Sequence, residues 1–121
     1  MIRNKLNSNL SESVVKLWDN PNPNASFTHQ TVNIDLSKYK KVGIVVKQTY
    51  NTTNGSVGYS ETIIGLNGTL FSGNVDDPTV AYRSFSSGPN FVTFYTGHYI
   101  YSGAQGTSPD WAIPVAIYGI K

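Results

Sequence analysis

Seven acidic residues are the groups through which this 121-residue chain could catalyse hydrolysis. Cleavage of a glycosidic bond needs two carboxyl groups held roughly 5 to 10 Å apart. Glu61 could form such a pair with Asp76 or Asp77, although nothing in their spacing requires it. Asp76 and Asp77 precede Pro78, which is more typical of a turn than of a calcium loop with its repeated oxygen ligands. Because there is no Gly-X-Ser-X-Gly elbow either, the sequence predicts no catalytic residue and no cofactor.

The two histidines and the absence of cysteine limit the metal chemistry. His29 and His98 lack the spacing of a shared metal motif, and we interpret both as polar residues at strand edges. Without cysteine there is neither a disulfide framework nor a thiolate ligand set. The sequence therefore predicts no metal site.

Aromatic side chains offer a different chemistry, which is binding. The chain has eight Tyr, five Phe and two Trp, and several of them fall between residues 82 and 101. Rings stack on the apolar face of a sugar, and Asn amides can bind its hydroxyl groups. The pattern favours a simpler interpretation, in which the rings fill the core and an interface between subunits, and for Trp18 the core is favoured over a surface site. The candidate contact residues are Trp18, Tyr82, Tyr95, Tyr99, Tyr101 and Trp111.

Composition narrows the classes of function. Only 13% of the residues are charged, about half the usual share, which suits a loop-rich β domain with polar contact faces. A net charge of +2 is too small to indicate nucleic-acid binding. No segment reaches transmembrane length, and the N-terminus lacks the apolar stretch of a secretory signal. We therefore expect no membrane partner and synthesis in a cytosol without export.

Alternating apolar residues predict β-strands along the chain. The clearest pair lies within Thr31–Tyr50, which is predicted to form a hairpin-like unit. Its inward side chains are Val32, Ile34, Leu36, Val42, Ile44 and Val46. Gly97 suggests a bulge or bend within one long strand. Further strands are predicted at Val14–Trp18, Gly58–Gly65, Thr79–Phe85, Phe91–Tyr101 and Trp111–Lys121.

Turn signals separate these strands. Asn54-Gly55 and Asn67-Gly68 are Asn-Gly dipeptides, which are the strongest short turn signal. Ser86–Asn90 and Ser102–Pro109 are predicted to be loops. Pro114 cannot donate a ladder hydrogen bond, so the last strand is predicted to lie at a sheet edge or to pair only after Pro114.

The spacing of strands and turns predicts the fold class. About eight short strands without helical periodicity indicate an all-β chain, folded as an antiparallel, jelly-roll-like β-sandwich. Residues 14–121 are predicted to form this domain. Residues 1–13, which are polar, are predicted to be an N-terminal arm or docking segment.

Three stretches resemble a C-terminal-type β domain of virion proteins from phages and prophages of Gram-positive bacteria, in tail-fibre, tail-tip and head-fibre proteins. They are Leu17–Phe27, Gln30–Tyr39 and Ile113–Lys121. The first carries a Leu-Trp, Asn-Pro and Phe pattern, and the second is an alternating strand that ends in an Asp-Leu-Ser-Lys-Tyr turn. The third has the ending Pro-X-X-Ile-Tyr-Gly-Ile-Lys.

The resemblance implies a non-enzymatic structural protein, made in the host cytoplasm and located in the virion. It further implies a homo-oligomer, with a trimer favoured, that docks on other virion proteins through residues 1–13. Such a domain is expected to contact the host cell surface, where cell-wall carbohydrate is a candidate ligand. Two alternatives stay open: a stand-alone carbohydrate-binding module, and a small polysaccharide depolymerase that would use Glu61, Asp76 and Asp77.

Overall fold

The described residues contain nine β-strands. The computed structural model describes residues 13–50, 57–74 and 77–121. In chain order the strands are β1 (Val14–Asp19), β2 (Gln30–Asn33), β3 (Lys41–Thr49), β4 (Val57–Ile63), β5 (Asn67–Asn74), β6 (Asp77–Gly88), β7 (Phe91–Tyr101), β8 (Ala104–Thr107) and β9 (Trp111–Ile120).

The strands form two antiparallel sheets. Sheet A has the order β1-β9-β3-β4, and sheet B has the order β2-β7-β6-β5. The short strand β8 pairs with the same edge of β7 as β2, so the two short strands share one side of the long strand. This arrangement confirms the predicted all-β sandwich, with nine strands instead of about eight. The additional strand, β8, lies inside the predicted Ser102–Pro109 loop.

The core consists of the side chains that point inward from both sheets. The alternation predicted for Val42, Ile44 and Val46 is confirmed, since all three are fully buried on β3. Sheet B contributes Phe85 and Phe94 from β6 and β7. The apolar period of the sequence therefore identified the buried face of the longest strands.

The predicted Thr31–Tyr50 hairpin is wrong, because β2 and β3 belong to different sheets. β2 pairs with β7, whereas β3 pairs with β4 and β9. A turn at Asp35 follows the end of β2. The carboxylate of Asp35 accepts hydrogen bonds from the backbone N–H and the hydroxyl of Ser37 (3.0 and 2.6 Å). Leu36 then donates its N–H to the carbonyl of Pro89 (2.8 Å), and the chain crosses to sheet A. The burial pattern is unaffected, so Leu36 still enters the core.

The prediction for Pro114 is also wrong, because β9 lies inside sheet A and pairs from Trp111 onward. The register shows how the sheet tolerates proline. Val45 pairs with Ala116 and Val46 with Pro114, which leaves Val115 as the extra residue of a β-bulge. A bulge is a place where a missing backbone donor costs little.

Two predicted loops differ from those observed: one lies earlier in the chain, and the other is shorter. Asn67 and Gly68 are the first residues of β5, and the turn before them is closed by a hydrogen bond from the N–H of Leu66 to the carbonyl of Ile63 (3.0 Å). Gly65 has a φ of +97° in this turn, a conformation that favours glycine. β6 continues through Gly88, so the predicted Ser86–Asn90 loop shortens to Pro89 and Asn90.

Some expectations fall on parts of the chain that the structure does not describe. The Asn54-Gly55 turn and residues 1–12 of the predicted arm lie outside the described residues. Ser13, the last residue of that arm, accepts a hydrogen bond from the backbone N–H of Lys121 (2.7 Å).

The turn between β7 and β8 gives a testable prediction. Tyr101 pairs with Ala104, and both residues between them have positive φ: 47° at Ser102 and 85° at Gly103. This is the requirement of a type I′ turn, for which Asn-Gly is preferred. Ser102→Asn should therefore raise the free energy of unfolding by about 0.5 to 1 kcal/mol, and Ser102→Val should lower it by about 1 to 2 kcal/mol. Urea titrations at one protein concentration measure both, and equal stability of the two variants would contradict the turn assignment.

Candidate functional site

Three of the six predicted contact residues come together in one cleft. Tyr99, Tyr101 and Trp111 line a cavity of about 510 Å³, which we call the aromatic cleft. Thr79, Thr107 and Ser108 complete its lining. The described lining of the cleft therefore consists of aromatic and hydroxyl-bearing residues, and none of these side chains is charged.

Strands from both sheets position these rings. Tyr99 and Tyr101 are two residues apart on β7 and therefore point to the same side of sheet B. Trp111 is the first residue of β9, in sheet A. The rings of Tyr99 and Trp111 are 5.0 Å apart with an angle of 34° between their planes. On β8, Gly106 lies so close to the ring of Tyr99 that a Cβ atom there would overlap it.

A buried arginine fixes the backbone beneath the cleft. Arg83, on β6, is fully buried and donates four hydrogen bonds to backbone carbonyls. Its Nε donates to Ala112 (2.8 Å), its Nη1 to Tyr95 (2.6 Å), and its Nη2 to Trp111 and Pro109 (2.8 and 3.3 Å). One side chain of sheet B therefore holds the loop before β9 and the start of that strand.

The β-bulge expected near Gly97 makes this arrangement possible. Arg83 pairs with Gly97 while Phe85 pairs with Phe94, so β7 has one more residue than β6 over this interval. A Cβ atom at Gly97 would overlap the carbonyl of Trp111. Only glycine therefore lets the backbone of β7 approach the start of β9 this closely. The prediction of a bulge in one long strand is confirmed.

The electrostatics of Arg83 are unusual for a buried cation. Burial lowers the pKa of Arg83 to about 10, which still leaves the guanidinium charged at neutral pH. The ion pairs among the described residues are Lys16–Asp19 and Lys41–Glu61, and neither involves Arg83. Carbonyl dipoles, together with the ring of Phe27 at 5.5 Å from the guanidinium carbon, take the place of a counter-ion.

Tyr82 lies elsewhere, on the outer side of sheet B. It is the centre of a row of side chains that cross four neighbouring strands, namely Phe71, Tyr82, His98 and Thr107. The rings of Tyr82 and His98 stack at 4.9 Å with an angle of 11°, and the ring of Phe71 is 6.0 Å from that of Tyr82. Phe71 is 55% exposed. We call the outer side of sheet B, with this row at its centre, the uncharged face.

The name reflects the composition of the strands. Among the residues that the structure assigns to the five strands of sheet B, only Asp77 and Arg83 are charged. Arg83 points into the core, and the side chain of Asp77 lies outside the described part of the chain. A second row crosses the same sheet and contains only polar side chains without charge, namely Thr31, Thr93, Ser86 and Asn67. The hydroxyls of Thr31 and Thr93 are 2.8 Å apart.

The remaining two predicted residues occupy separate places. Tyr95 is exposed at the bulge, where its hydroxyl is 3.2 Å from that of Ser86 and its ring is 5.0 Å from that of His29. Trp18 is half-buried and packs on Phe27 and Phe94, with both ring distances at 6.3 Å. It also lines a groove of about 400 Å³ beside the loop after β1.

The candidate carboxylates do not form a described pair. Glu61 contacts Lys41 Nζ at 3.5 Å and accepts a hydrogen bond from the hydroxyl of Tyr59 (3.2 Å). Asp76 and the side chain of Asp77 lie outside the described residues. Burial first, and the neighbouring Glu61 second, raise the pKa of the Tyr59 phenol.

Sequence reasoning missed Arg83 and Phe71. A signal for Arg83 exists, because Val80, Tyr82 and Ser84 alternate with Ala81, Arg83 and Phe85 on β6. Strict alternation assigns Arg83 to the same buried side as Ala81 and Phe85. No comparable signal identifies Phe71, because its role depends on the register between β5 and β6.

Replacing Arg83 tests its role in holding the cleft. Arg83→Met preserves much of the apolar volume but leaves four carbonyls without their donor, so it should lower the free energy of unfolding by about 3 to 5 kcal/mol. Arg83→Lys retains a charge on one nitrogen and should recover only part of this loss. Lys16→Met, at an exposed ion pair on β1, is the control and should leave the urea midpoint unchanged. A midpoint for Arg83→Met equal to that of the control would contradict the role given to Arg83.

The remaining findings concern metal ligands, membrane-spanning helices and comparisons with known proteins. Within the described ranges there is no group of three or more His, Cys, Asp or Glu residues that could hold a metal ion. No helix in that part of the chain is long and apolar enough to cross a membrane. No family model, curated protein or solved structure matches this chain.

Proposed function

We propose that this chain is a non-enzymatic structural protein of a phage virion, which self-associates through the uncharged face and contacts the host cell surface. The observation that carries the self-association is an entire sheet surface on which no described side chain has a formal charge. The virion context comes from the resemblance of the chain's two ends to phage proteins.

The uncharged face has the physical properties of an interface between copies. Its central row exposes Phe71, with Tyr82 and His98 stacked beside it. Contiguous exposed apolar surface on a small domain is a common sign of an interaction site. Three such faces can pack around a three-fold axis without removing any described charged group from water, which is the main cost of burying a polar surface. A second copy of the same chain is therefore the occupant that fits this face.

Sheet A also exposes apolar side chains, such as Val57, Tyr59 and Ile63, but it lacks an uncharged surface. Its strands carry the Lys16–Asp19 and Lys41–Glu61 ion pairs, which are exposed to solvent. Burying this surface in an interface would require desolvating both pairs. The contrast between the sheets favours association through sheet B and leaves sheet A in contact with water.

The stretches that resemble phage proteins are neighbours in space. Trp18 and Asp19, at the end of β1 and in the first stretch, pair with Ile117 and Ala116 of the third stretch. The ring of Tyr39, at the end of the second stretch, lies 2.6 Å from where a Cβ atom would be at Gly119. The Tyr-Gly-Ile-Lys ending therefore has a physical reason, since the glycine leaves room for the tyrosine of another motif. This supports the interpretation of the three stretches as one structural unit.

The solution mass of the full chain, measured by light scattering, tests the self-association. The wild-type protein should have the mass of a trimer, and Tyr82→Lys should have the mass of one chain, because the lysine would bury a charge in the interface. Tyr59→Lys, at an exposed position on sheet A, is the control and should remain a trimer. A monomeric wild-type protein, or dissociation by both variants, would contradict the proposal.

A shortened chain separates the sandwich from the predicted arm. A protein that begins at Ser13 should keep the wild-type oligomeric state, because the uncharged face is intact. Dissociation of this shortened protein would instead make residues 1–12 the assembly element.

A further inference from the structure

We propose that the aromatic cleft is the site at which this protein binds a neutral carbohydrate. The inference rests on the proposed contact with the host surface and specifies its ligand class and its residues. It reduces the six candidate residues to three, namely Tyr99, Tyr101 and Trp111.

The lining of the cleft has the two components that sugar recognition requires. The rings of Tyr99 and Trp111 are tilted by 34° at 5.0 Å, and Tyr101, which is 50% exposed, completes the aromatic surface. The negative faces of aromatic rings attract the C–H groups of a sugar ring. Hydroxyl groups of Tyr, Thr and Ser can both donate to and accept from sugar hydroxyls. The cavity of about 510 Å³ falls within the ordinary size of small-molecule sites.

The composition of the described lining favours one type of sugar. The six described residues around the cleft include no Lys, Arg, Asp or Glu. An acidic sugar would lose water around its carboxylate or phosphate without gaining a cationic partner. A neutral hexose or N-acetylhexosamine loses no charge solvation there. The chemistry of the cleft therefore favours neutral oligosaccharides over charged ones.

The cleft is held in shape before any ligand arrives. Arg83 binds the carbonyls of Pro109 and Trp111, on both sides of Asp110. Ser108 donates its N–H to the carbonyl of Gly97 (2.9 Å), which joins the same loop to β7. Rigid placement of binding side chains reduces the entropy cost of association. Arg83 is thus a positioning residue for the cleft.

The two tryptophans allow a test that identifies the binding site. Trp111 lines the cleft, whereas Trp18 lines the separate groove after β1. In Trp18→Phe the fluorescence reports on the cleft alone, and in Trp111→Phe it reports on the groove alone. The probes are neutral oligomers of glucose, galactose, rhamnose and N-acetylglucosamine, with oligogalacturonate as the charged comparison.

The expected result is a saturable change in the fluorescence of Trp18→Phe with at least one neutral oligomer. Oligogalacturonate should give no change, and Trp111→Phe should not respond to any probe. A response of Trp111→Phe alone, a response to oligogalacturonate alone, or no response to any neutral oligomer would overturn the proposal. The two indole N–H signals in an NMR spectrum of the wild-type protein give the same answer if either variant folds poorly.

A matched pair of tyrosines tests the stacking directly. Tyr101→Ala should weaken the affinity for the oligomer that binds by about tenfold, through loss of one ring contact. Tyr59→Ala removes a ring that is almost equally exposed, 52% against 50%, but lies on sheet A, and it should leave the affinity unchanged. Equal effects of the two variants would overturn the assignment of the cleft.

Light scattering on the same samples separates this inference from the proposed self-association. An intact trimer that responds to no neutral oligomer would reject only the carbohydrate cleft. A monomer that binds a neutral oligomer at Trp111 would support the cleft and reject only the trimer.

Discussion

The buried guanidinium of Arg83 is the interaction on which the junction of the two sheets, and with it the proposed aromatic cleft, depends. A charged group without a carboxylate partner is costly inside a protein unless its donors are satisfied. Here four donors meet carbonyls from β7, from the loop before β9 and from β9 itself. The arginine therefore ties the two sheets together at the point where the last strand begins. The bulge at Gly97 and the positive φ of Ala112 (53°) lie at the same junction.

The structure distributes its few charges unevenly, and this explains how one small domain could serve two kinds of contact. The two described ion pairs lie on sheet A, which stays compatible with solvent. Among the described residues the outer side of sheet B has no ion pair, and its exposed Phe71 is consistent with the proposed interface between copies. The aromatic cleft lies where β8 and the start of β9 meet. Its rings line a different surface from the Phe71–Tyr82–His98 row, and the two surfaces share only Thr107 among their described residues. Self-association and ligand binding can therefore be separated by mutation.

Much of the fold could be predicted from the sequence, because burial leaves a local pattern. The period of two on β3 identified Val42, Ile44 and Val46, and Gly97 marked the bulge correctly. The pairing of β2 could not be predicted, since the Asp35–Ser37 turn does not reveal which sheet receives the next strand. Asn67-Gly68 was misleading because Gly65, two residues earlier, adopts the positive φ that the turn needs.

The candidate site also has one part that the sequence could predict and another part that it could not. Tyr99 and Tyr101 are two positions apart on one strand, so their common side follows from the pleat. Trp111 joins them only through the packing of β9 against sheet B, which is a long-range contact that a single sequence does not reveal. Phe71 and His98 become neighbours of Tyr82 through register, which depends on turn lengths and bulges.

In the proposed assembly, copies of this chain meet through the outer side of sheet B. Nuclear Overhauser contacts between an isotope-labelled copy and an unlabelled copy, in a mixed sample, test it most directly. Intermolecular contacts are expected from the rings of Phe71, Tyr82 and His98. Intermolecular contacts confined to sheet A residues such as Tyr59 and Tyr118, or a complete absence of such contacts, would contradict it.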